Sequence, residues 1–420
     1  MQIPFSRSLP TAEEISIKRL HSTTAARRHD LDWLRVIAFI FLIFYHIGMY
    51  YVADWQWHLK SAFQSDILKS FMLLLNPWRM SLIFLVSGIT LSLVEPKISR
   101  IQLLKQRTIR VFVPLLIGMY IIVPPQLYFE LASKEGFSDS YLSFIHFYID
   151  IDTEKYPHHQ HGSLGLLTWN HLWYLAYLFC YTLIYLALKP MLTRIPWDSF
   201  PKKLLPIFFV LTCLLILYKT LLAPNYPQTY ALSGDWYSHA LYFTMFIFGY
   251  VLEKKKDIWD SIIHCRRRLL AIAIIHSALL LMFVHWSVES WLENSGLKNV
   301  YSITPTVNTL MITWVTSIYT VASVFAAVAF AGAYLNKPSK ILNYMNEAIL
   351  PWYILHQTII ISLAAVLSHY AFGSMIESLA LIFMTFFICA LLFELIRRFR
   401  ITRFMFGMKL DFSPNPRADI

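Results

Sequence analysis

The feature that most constrains the fold of this sequence is the recurrence of apolar stretches long enough to cross a lipid bilayer. About 20 apolar residues in a helix span the hydrocarbon core, where the backbone must satisfy its own hydrogen bonds. Of the 420 residues, 57% are hydrophobic and 15% are charged, a balance that excludes a soluble globular domain. We predict an all-α, polytopic membrane helix bundle of about ten transmembrane helices, at 31–52, 70–94, 109–130, 171–189, 204–222, 236–252, 269–286, 309–335, 345–369 and 376–396.

The charged residues predict the orientation of this bundle. The formal net charge is +11, but the Lys and Arg residues lie in short connections between apolar segments. There they mark the cytoplasmic side of the membrane, and no nucleic-acid partner is implied. The connection 131–170 is net acidic and is assigned outside. We expect both termini in the cytoplasm, with a tail over 1–30, the membrane domain over 31–396 and a second tail over 397–420.

The first apolar segment carries two ionisable side chains, Arg35 and His46. They are eleven residues apart, which brings them within about 20° of the same direction on a helix. Ionisable groups inside a membrane are costly unless they face protein or water, so this polar track indicates function. His46 is placed near mid-membrane, where a neutral imidazole suits general-base catalysis. The alternative is a histidine that only hydrogen-bonds two helices.

The second predicted helix carries Arg79, near the level of His46 and two residues after Pro77. Proline frees a backbone carbonyl and can kink the helix, which opens room for polar groups. A guanidinium cannot be neutralised, so Arg79 must face a cavity, a carboxylate or an anionic ligand. We favour a functional role for Arg79, and a structural ion pair is the alternative.

Two further pairs of residues are candidates for ligand binding. Arg107 and Arg110 stand three residues apart before the third helix, a spacing that suits phosphate, although such residues are also ordinary topology anchors. Glu347 lies near the inner surface and His356 about ten residues deeper, at the level of His46. Nine residues separate these two side chains, which places them on opposite faces of an ideal helix. Two separate helix–helix contacts are therefore as well supported as a shared site.

Two histidine-containing motifs receive other interpretations. His158, His159 and His161 lie in a polar loop without carboxylate or thiolate partners, so we predict no metal site. His171 opens the fourth helix within HLWY at the outer interface. We interpret that motif first as part of an aromatic belt and second as part of a platform for stacking sugar rings.

These motifs, in this order, resemble the acyltransferase 3 family of integral membrane O-acyltransferases. The matching segments are DWLRVIAFIFLIFYH from Asp32, FLVSG from Phe84, the Arg107–Arg110 pair, HLWYL from His171 and PWYILHQ from Pro351. NPWRMSLIFLVSG and NEAILPWYILHQ are similar to the branch of periplasmic glucan succinyltransferases. The resemblance covers about 30–400 and contains no additional esterase-like domain.

The resemblance implies transfer of an acetyl or succinyl group from cytoplasmic acyl-CoA to a hydroxyl of a periplasmic or cell-surface glycan. It implies catalytic roles for His46 and Arg35, donor binding by Arg107 and Arg110, and substrate or oxyanion contacts by Arg79, His356 and Glu347. Acyl-CoA is a co-substrate; no permanent cofactor or metal is expected. The partners are acyl-CoA, the glycan and membrane lipids, and the expected location is the bacterial inner membrane.

Two alternatives remain open from the residues. The acyl group can pass directly to the acceptor or first form an acyl-His46 intermediate. A transporter or flippase of a glycan or an anionic metabolite is the rival function, because buried charges also bind cargo. The two halves of the sequence show no matching interrupted segments of the kind found in inverted-repeat transporters, which counts against the rival.

Overall fold

The computed structural model describes residues 27–134, 137–150, 165–196, 203–285, 304–370 and 372–409, with side chains from residue 308 onward in the fifth range. The loop histidines at 158, 159 and 161, most of the first predicted tail and the end of the second lie outside these ranges. The described residues form helices joined by short connections, and their only extended pairing is an isolated bridge between Val52 and Ser65.

Thirteen helices can be numbered along the described chain. They are α1 His29–Tyr51, α2 Asp66–Val94, α3 Arg100–Ala132, α4 Tyr141–Ile149, α5 Trp173–Leu192, α6 Leu204–Leu221, α7 Trp236–Glu253, α8 Lys256–His264, α9 Arg266–His285, α10 Thr304–Tyr334, α11 Lys340–Leu367, α12 Ser374–Ile396 and α13 Arg400–Met405. Helix α3 is continuous but contains two π-helical segments, Thr108–Phe112 and Gly118–Ile122.

Nine of these helices, among the described residues, are long and apolar enough to span a membrane. They are α1, α2, α3, α5, α6, α9, α10, α11 and α12. The remaining predicted segment, 236–252, is also helical and corresponds to α7. Its His239 and Glu253 are the most hydrophilic residues of this 18-residue helix and lower its mean hydropathy, which explains why it is not among the nine. The prediction of an all-α polytopic bundle is therefore confirmed.

The connections between helices lie at two opposite ends of the bundle. At one end, which we call the N-terminal face, Arg28 Nη1 lies 3.3 Å from Glu253 Oε2, and Arg110 Nε donates to the carbonyl of Gly407 at 3.3 Å. At the other end, the distal face, Ser61 Oγ donates to Glu377 Oε1 at 3.0 Å. The first and last described segments share the N-terminal face, in agreement with an even number of crossings. That this face is cytoplasmic stays a prediction.

Helices α2 and α7 touch backbone to backbone because glycine occupies both sides of the contact. A Cβ on Gly88 would stand 1.8 Å from the Phe246 carbonyl oxygen, and one on Gly249 would stand 2.1 Å from that of Leu85. Small residues allow such close approach in membranes, where association depends on van der Waals packing and not on exclusion of water. This contact holds the Arg79 helix against α7.

Prolines inside α2 and α11 interrupt these two helices without ending them. Pro77 lies within α2 and Pro351 within α11, and each helix continues for several turns beyond its proline. A proline cannot donate to the carbonyl four residues earlier, so both helices carry a locally weakened backbone at membrane depth. Arg79 and His356 both lie within five residues of these sites.

Candidate active site

The centre of the candidate site is a pair of histidines from α1 and α11. His46 Nδ1 and His356 Nε2 are 2.7 Å apart, and their ring planes are nearly parallel, with an angle of 16° and centroids separated by 5.0 Å. His356 is fully buried, whereas His46 retains partial exposure. The sequence places the two histidines at similar depth, and the fold makes them direct partners.

The surrounding acceptors determine which nitrogen carries each proton. His356 Nδ1 lies 2.7 Å from the Tyr353 carbonyl and 3.1 Å from that of Trp352, so Nδ1 carries a hydrogen. In neutral His356, Nε2 is then an acceptor, and His46 must donate to it from Nδ1. This leaves a lone pair on His46 Nε2, which is the form that a general base or a nucleophile requires.

A third histidine completes the cluster from the distal side. The His171 ring centroid is 5.1 Å from that of His356 and 6.5 Å from that of His46. Its Nε2 lies 3.1 Å from the Ile354 carbonyl, and its Nδ1 lies 3.3 Å from Gln126 Nε2. Only 5% of His171 is exposed, so its interpretation as part of an interfacial belt is wrong. His171 lies in the short 3₁₀ turn Asn170–Leu172, and this turn directs its side chain into the protein interior.

Arg79 lies in an aromatic environment beside the histidines. Its guanidinium carbon is 3.6 Å from the ring centre of Tyr45, the residue that precedes His46. The side chain is 6% exposed, and its Nε and Nη1 make no hydrogen bond within the described structure. No carboxylate from the described residues pairs with it, so the structural ion pair considered from the sequence is not observed there. A buried cation with unused donors is suited to bind an anion.

A neighbouring tyrosine leaves the charge of Arg79 unneutralised. Tyr230, in the distal connection between α6 and α7, adopts φ +56° and stacks on Trp173 at 4.3 Å between centroids. Burial raises the pKa of Tyr230 to about 12, so its phenol is neutral at physiological pH. The Tyr230 phenol can therefore form hydrogen bonds near Arg79, but it is not a counter-ion for the guanidinium.

Arg35 lies at the opposite end of the α1 polar track. Its Nη2 donates to Thr90 Oγ1 at 2.8 Å, and its Nη1 is 3.6 Å from Asp32 Oδ1. The side chain reaches a cavity of about 670 Å³ that opens at the N-terminal face, which we call the N-face cavity. Seven cationic side chains and two carboxylates line it: Arg27, Arg28, Arg35, Lys97, Arg110, Arg403 and Lys409, with Asp32 and Glu347.

The predicted arginine pair divides between two positions. Arg110 is exposed and lines the N-face cavity, whereas Arg107 is half-buried and lies towards Tyr174 and Arg35. The π-helical segment Thr108–Phe112 begins between them and alters the ideal spacing of three residues. Both guanidinium groups remain at the same end of the molecule as Arg35.

Glu347 belongs to the cavity and not to the histidine pair. It is exposed at the cavity wall, next to Asn346, whose amide nitrogen and oxygen make no hydrogen bond within the described structure. The structure thus separates Glu347 from His356, in agreement with their opposite helical faces. The unused amide of Asn346 is a further ligand-binding candidate, and the sequence offered no signal for it beyond its place in NEAILPWYILHQ.

Three aromatic rings pack together between the N-face cavity and the histidines. Phe39 lies 6.0 Å from Tyr174 and 5.1 Å from Tyr353, and the two tyrosines are 6.0 Å apart, centroid to centroid. Ser87 bonds the Tyr174 hydroxyl at 2.6 Å on the cavity side, and Tyr353 donates to the His171 carbonyl at 2.7 Å on the histidine side. This aromatic triangle divides the polar track into two compartments.

Sequence analysis missed an imidazole–carboxylate pair at the distal face. His58 Nδ1 lies 2.5 Å from Glu130 Oε2, and His58 Nε2 lies 3.0 Å from Asn170 Nδ2. Gln126 connects Asn170 with His171 through its amide. A histidine in a 14-residue connection and a glutamate at the end of α3 give no sequence signal, because 72 residues separate them.

The chain is similar to known proteins over nearly its whole length. A family model described as an acyltransferase domain matches residues 28–394. Proteins called Glucans biosynthesis protein C from Salmonella heidelberg (strain SL476) and Salmonella typhi are each 22% identical over 418 residues, covering 96% of this chain and 100% of theirs. No solved structure matches the chain. The site described above lies within the matched range, apart from Arg27 and the residues that follow 394.

Proposed function

The chain belongs to the acyltransferase family whose domain spans its residues 28–394, and from this premise we propose that it acylates a glycan across the bacterial inner membrane. In this proposal an acetyl or succinyl group moves from acyl-CoA at the N-terminal face to a glycan hydroxyl at the distal face. The glucan acceptor is suggested by the name of the Salmonella relatives. The transporter alternative has no comparable support from family membership.

The donor is assigned to the N-face cavity because of its size and charge. A volume of about 670 Å³ with seven cations against two carboxylates suits a ligand that carries several phosphates. Arg110 and Arg35 line the wall, and Arg107 lies just beyond it. The Asn346 amide is available to hydrogen-bond the amide groups of the pantetheine arm.

The acyl group must pass the aromatic triangle to reach His46. Phe39 stands four residues beyond Arg35 and seven before His46 on α1, so the triangle lies between the two ends of the track. In our proposal the thioester displaces these rings when the donor binds. When no donor is bound, the packed rings keep the two sides of the membrane separate. An enzyme that transfers an acyl group across a membrane requires this separation.

The observation that carries the proposal is the contact between His46 Nδ1 and His356 Nε2, from which the tautomer of His46 follows. Its Nε2 lone pair accepts the proton of the acceptor hydroxyl as the oxygen attacks the thioester carbon. The carbon–sulfur bond then breaks, and the CoA thiolate leaves with that proton. His356 Nε2 stabilises the transient His46 imidazolium by accepting a hydrogen bond from its Nδ1–H. The same lone pair equally permits a route through acyl-His46.

Arg79 is assigned to negative charge that develops on the acyl oxygen or is carried by the acyl group. Its unused Nε and Nη1 donors lie close enough to His46 for electrostatic interaction. They can stabilise the oxyanion of the tetrahedral intermediate, or bind the free carboxylate of a succinyl group. Both roles require a buried guanidinium that has no carboxylate partner.

The test is replacement of His46 by Gln, assayed in purified, membrane-reconstituted protein. Acceptor-dependent release of CoA from acetyl-CoA and succinyl-CoA should fall by about 10²–10⁴-fold, the usual contribution of a general base. Mass spectrometry of cell glycans should show loss of ester groups. His276→Gln is the matched control, since His276 is also inside a span, and its hydrogen bond within the described residues is to its own helix, at the Ile272 carbonyl. Unchanged esterification in His46→Gln contradicts the proposal.

A further inference from the structure

A second polar cavity lies in the distal half of the bundle, away from the histidines. Its volume is about 170 Å³, and it lies between α2, α6, α7 and α10. The polar groups of its wall include the side chains of Asn76, Lys219, Gln228, Tyr237, Tyr242 and Thr316. No step of the proposed reaction uses this cavity, which we call the lysine cavity.

Lys219 is the main candidate for binding a ligand in this cavity. It is the one charged side chain in α6, which has the sequence LLPIFFVLTCLLILYKTL. The other ionisable side chains of that helix are a cysteine and a tyrosine. Its Nζ donates to Thr316 Oγ1 at 2.5 Å, and no carboxylate of the described residues forms an ion pair with it. A lysine near a helix end ordinarily extends to the interface, but this one turns towards α10 and the cavity.

The rest of the wall offers neutral donors and acceptors. The Asn76 side chain is exposed and lies at the cavity wall, and Gln228 Nε2 approaches the Tyr242 hydroxyl at 3.3 Å. Amide, phenol and hydroxyl groups around a small volume are suited to a ligand with many hydroxyls and little net charge. At ~30 Å³ per water, the cavity holds about six waters, which is room for one sugar ring.

The lysine cavity adjoins the candidate active site through α2 and Tyr242. Asn76 precedes Arg79 by three residues, so the two side chains share one side of α2. Tyr242 forms part of the cavity wall and interacts electrostatically with Arg79. Its ring also stacks on Phe84 at 4.9 Å and packs on Trp173 at 5.3 Å. A ligand in the cavity is therefore next to the Arg79 environment.

We propose that the lysine cavity binds one hexose ring of the acceptor glycan, with Lys219 and Asn76 donating hydrogen bonds to its hydroxyls. The identification of this sugar as the acceptor rests on the proposed function, but binding of the sugar does not require acyl transfer. It assigns acceptor recognition to α2, α6, α7 and α10, whereas the donor uses the N-face cavity. Donor and acceptor then approach His46 from different sides.

The test measures sugar binding and transfer separately on the full-length protein in lipid nanodiscs. Saturation-transfer NMR with sophorose, laminaribiose, maltose and cellobiose detects binding of glucose disaccharides without any acyl donor. We expect at least one disaccharide to give a signal that Lys219→Met and Asn76→Leu each remove. Lys69→Met is the matched control, because Lys69 also lies on the distal side but pairs with Asp54 at 2.7 Å outside the cavity.

Kinetics supply the second measurement. Lys219→Met should raise the KM for the bound disaccharide about tenfold or more, the value of one hydrogen bond from a charged donor, while kcat changes little. Lys219→Arg keeps the charge and should retain binding, which separates loss of contact from loss of folding. Disaccharide binding that persists in Lys219→Met, or that is absent in wild type, overturns the inference. Competition by phosphatidylglycerol alone would assign the cavity to a lipid headgroup and also overturn it.

The two proposals fail in different ways. If His46→Gln abolishes transfer while Lys219→Met leaves both binding and KM unchanged, only the lysine-cavity inference is lost. If wild-type protein binds a disaccharide through Lys219 but esterifies nothing, the transfer proposal is lost and the sugar site stands.

Discussion

At the scale of single residues, the candidate site depends on hydrogen bonds between neutral imidazoles. His356 occupies the position that a carboxylate takes in a catalytic triad, but it orients His46 through a neutral Nε2 and is itself held by two backbone carbonyls. A carboxylate so deep in the membrane would carry a large desolvation cost, and a neutral imidazole avoids it. The arrangement fixes the His46 tautomer without placing a charge beside it.

This account predicts different outcomes for two replacements of His356. His356→Gln retains an acceptor for His46 Nδ1–H, so acceptor-dependent CoA release should fall by only about tenfold, whereas His356→Leu should lose about 10²-fold or more. Initial rates at saturating donor measure the difference. Equal rates for both variants and wild type would show that His356 does not orient His46.

At the scale of helices, the site depends on how closely α2 approaches its neighbours. Gly88 and Gly249 allow backbone contact between α2 and α7, and this contact fixes α2, the helix that carries Asn76, Arg79 and Ser87. The π-helical segments of α3 have a comparable effect, because each changes the direction of the side chains that follow it. Local backbone features therefore set where the functional side chains point.

The glycine contact gives a stability prediction. Gly88→Ala places a Cβ 1.8 Å from the Phe246 carbonyl oxygen, so the two helices must separate, at a cost of at least about 1–3 kcal/mol. The thermal unfolding temperature in detergent should fall by several degrees. Gly373→Ala is the matched control, since no atom lies within 4 Å of a Cβ there. Equal unfolding temperatures for both variants would exclude a tight α2–α7 contact.

At the scale of the whole molecule, the two faces of the bundle differ in charge. The N-face cavity gathers cations from both ends of the described chain, including Arg27 and Lys409. The distal face instead includes polar groups that pair with one another, such as the His58–Glu130 pair and the Ser61–Glu377 bond. This asymmetry fits a phosphate-rich donor on one side and a polyhydroxylated acceptor on the other.

The orientation of the bundle is testable by cysteine labelling. In a background with Cys180, Cys213, Cys265 and Cys389 replaced, Asp54→Cys should react with a membrane-impermeant maleimide in spheroplasts. Lys337→Cys, in the connection between α10 and α11 at the N-terminal face, should react only after permeabilisation. Both positions are exposed, so accessibility does not differ between them. The reverse labelling pattern would invert the predicted topology.

The sequence was informative where a single helix carries the signal. The spacing of Arg35 and His46 places both on one side of α1, and the length of each apolar segment predicts its helix, because a membrane span has few alternatives. It was uninformative about partners on different helices. His171 seemed interfacial because it follows a polar loop, but the 3₁₀ turn before α5 carries it into the core. No sequence pattern connects His58 with Glu130.

By itself, then, the sequence determined the helical class, the approximate spans, the family resemblance and the polar side chains that membrane burial makes costly. Only the tertiary structure decided that His46 bonds His356, that Arg79 lies on Tyr45 without a carboxylate from the described residues, and that Lys219 faces a cavity. The physical reason is that hydropathy and periodicity act within one helix. The partner of a buried polar group depends on which helices pack together, and how closely their backbones approach.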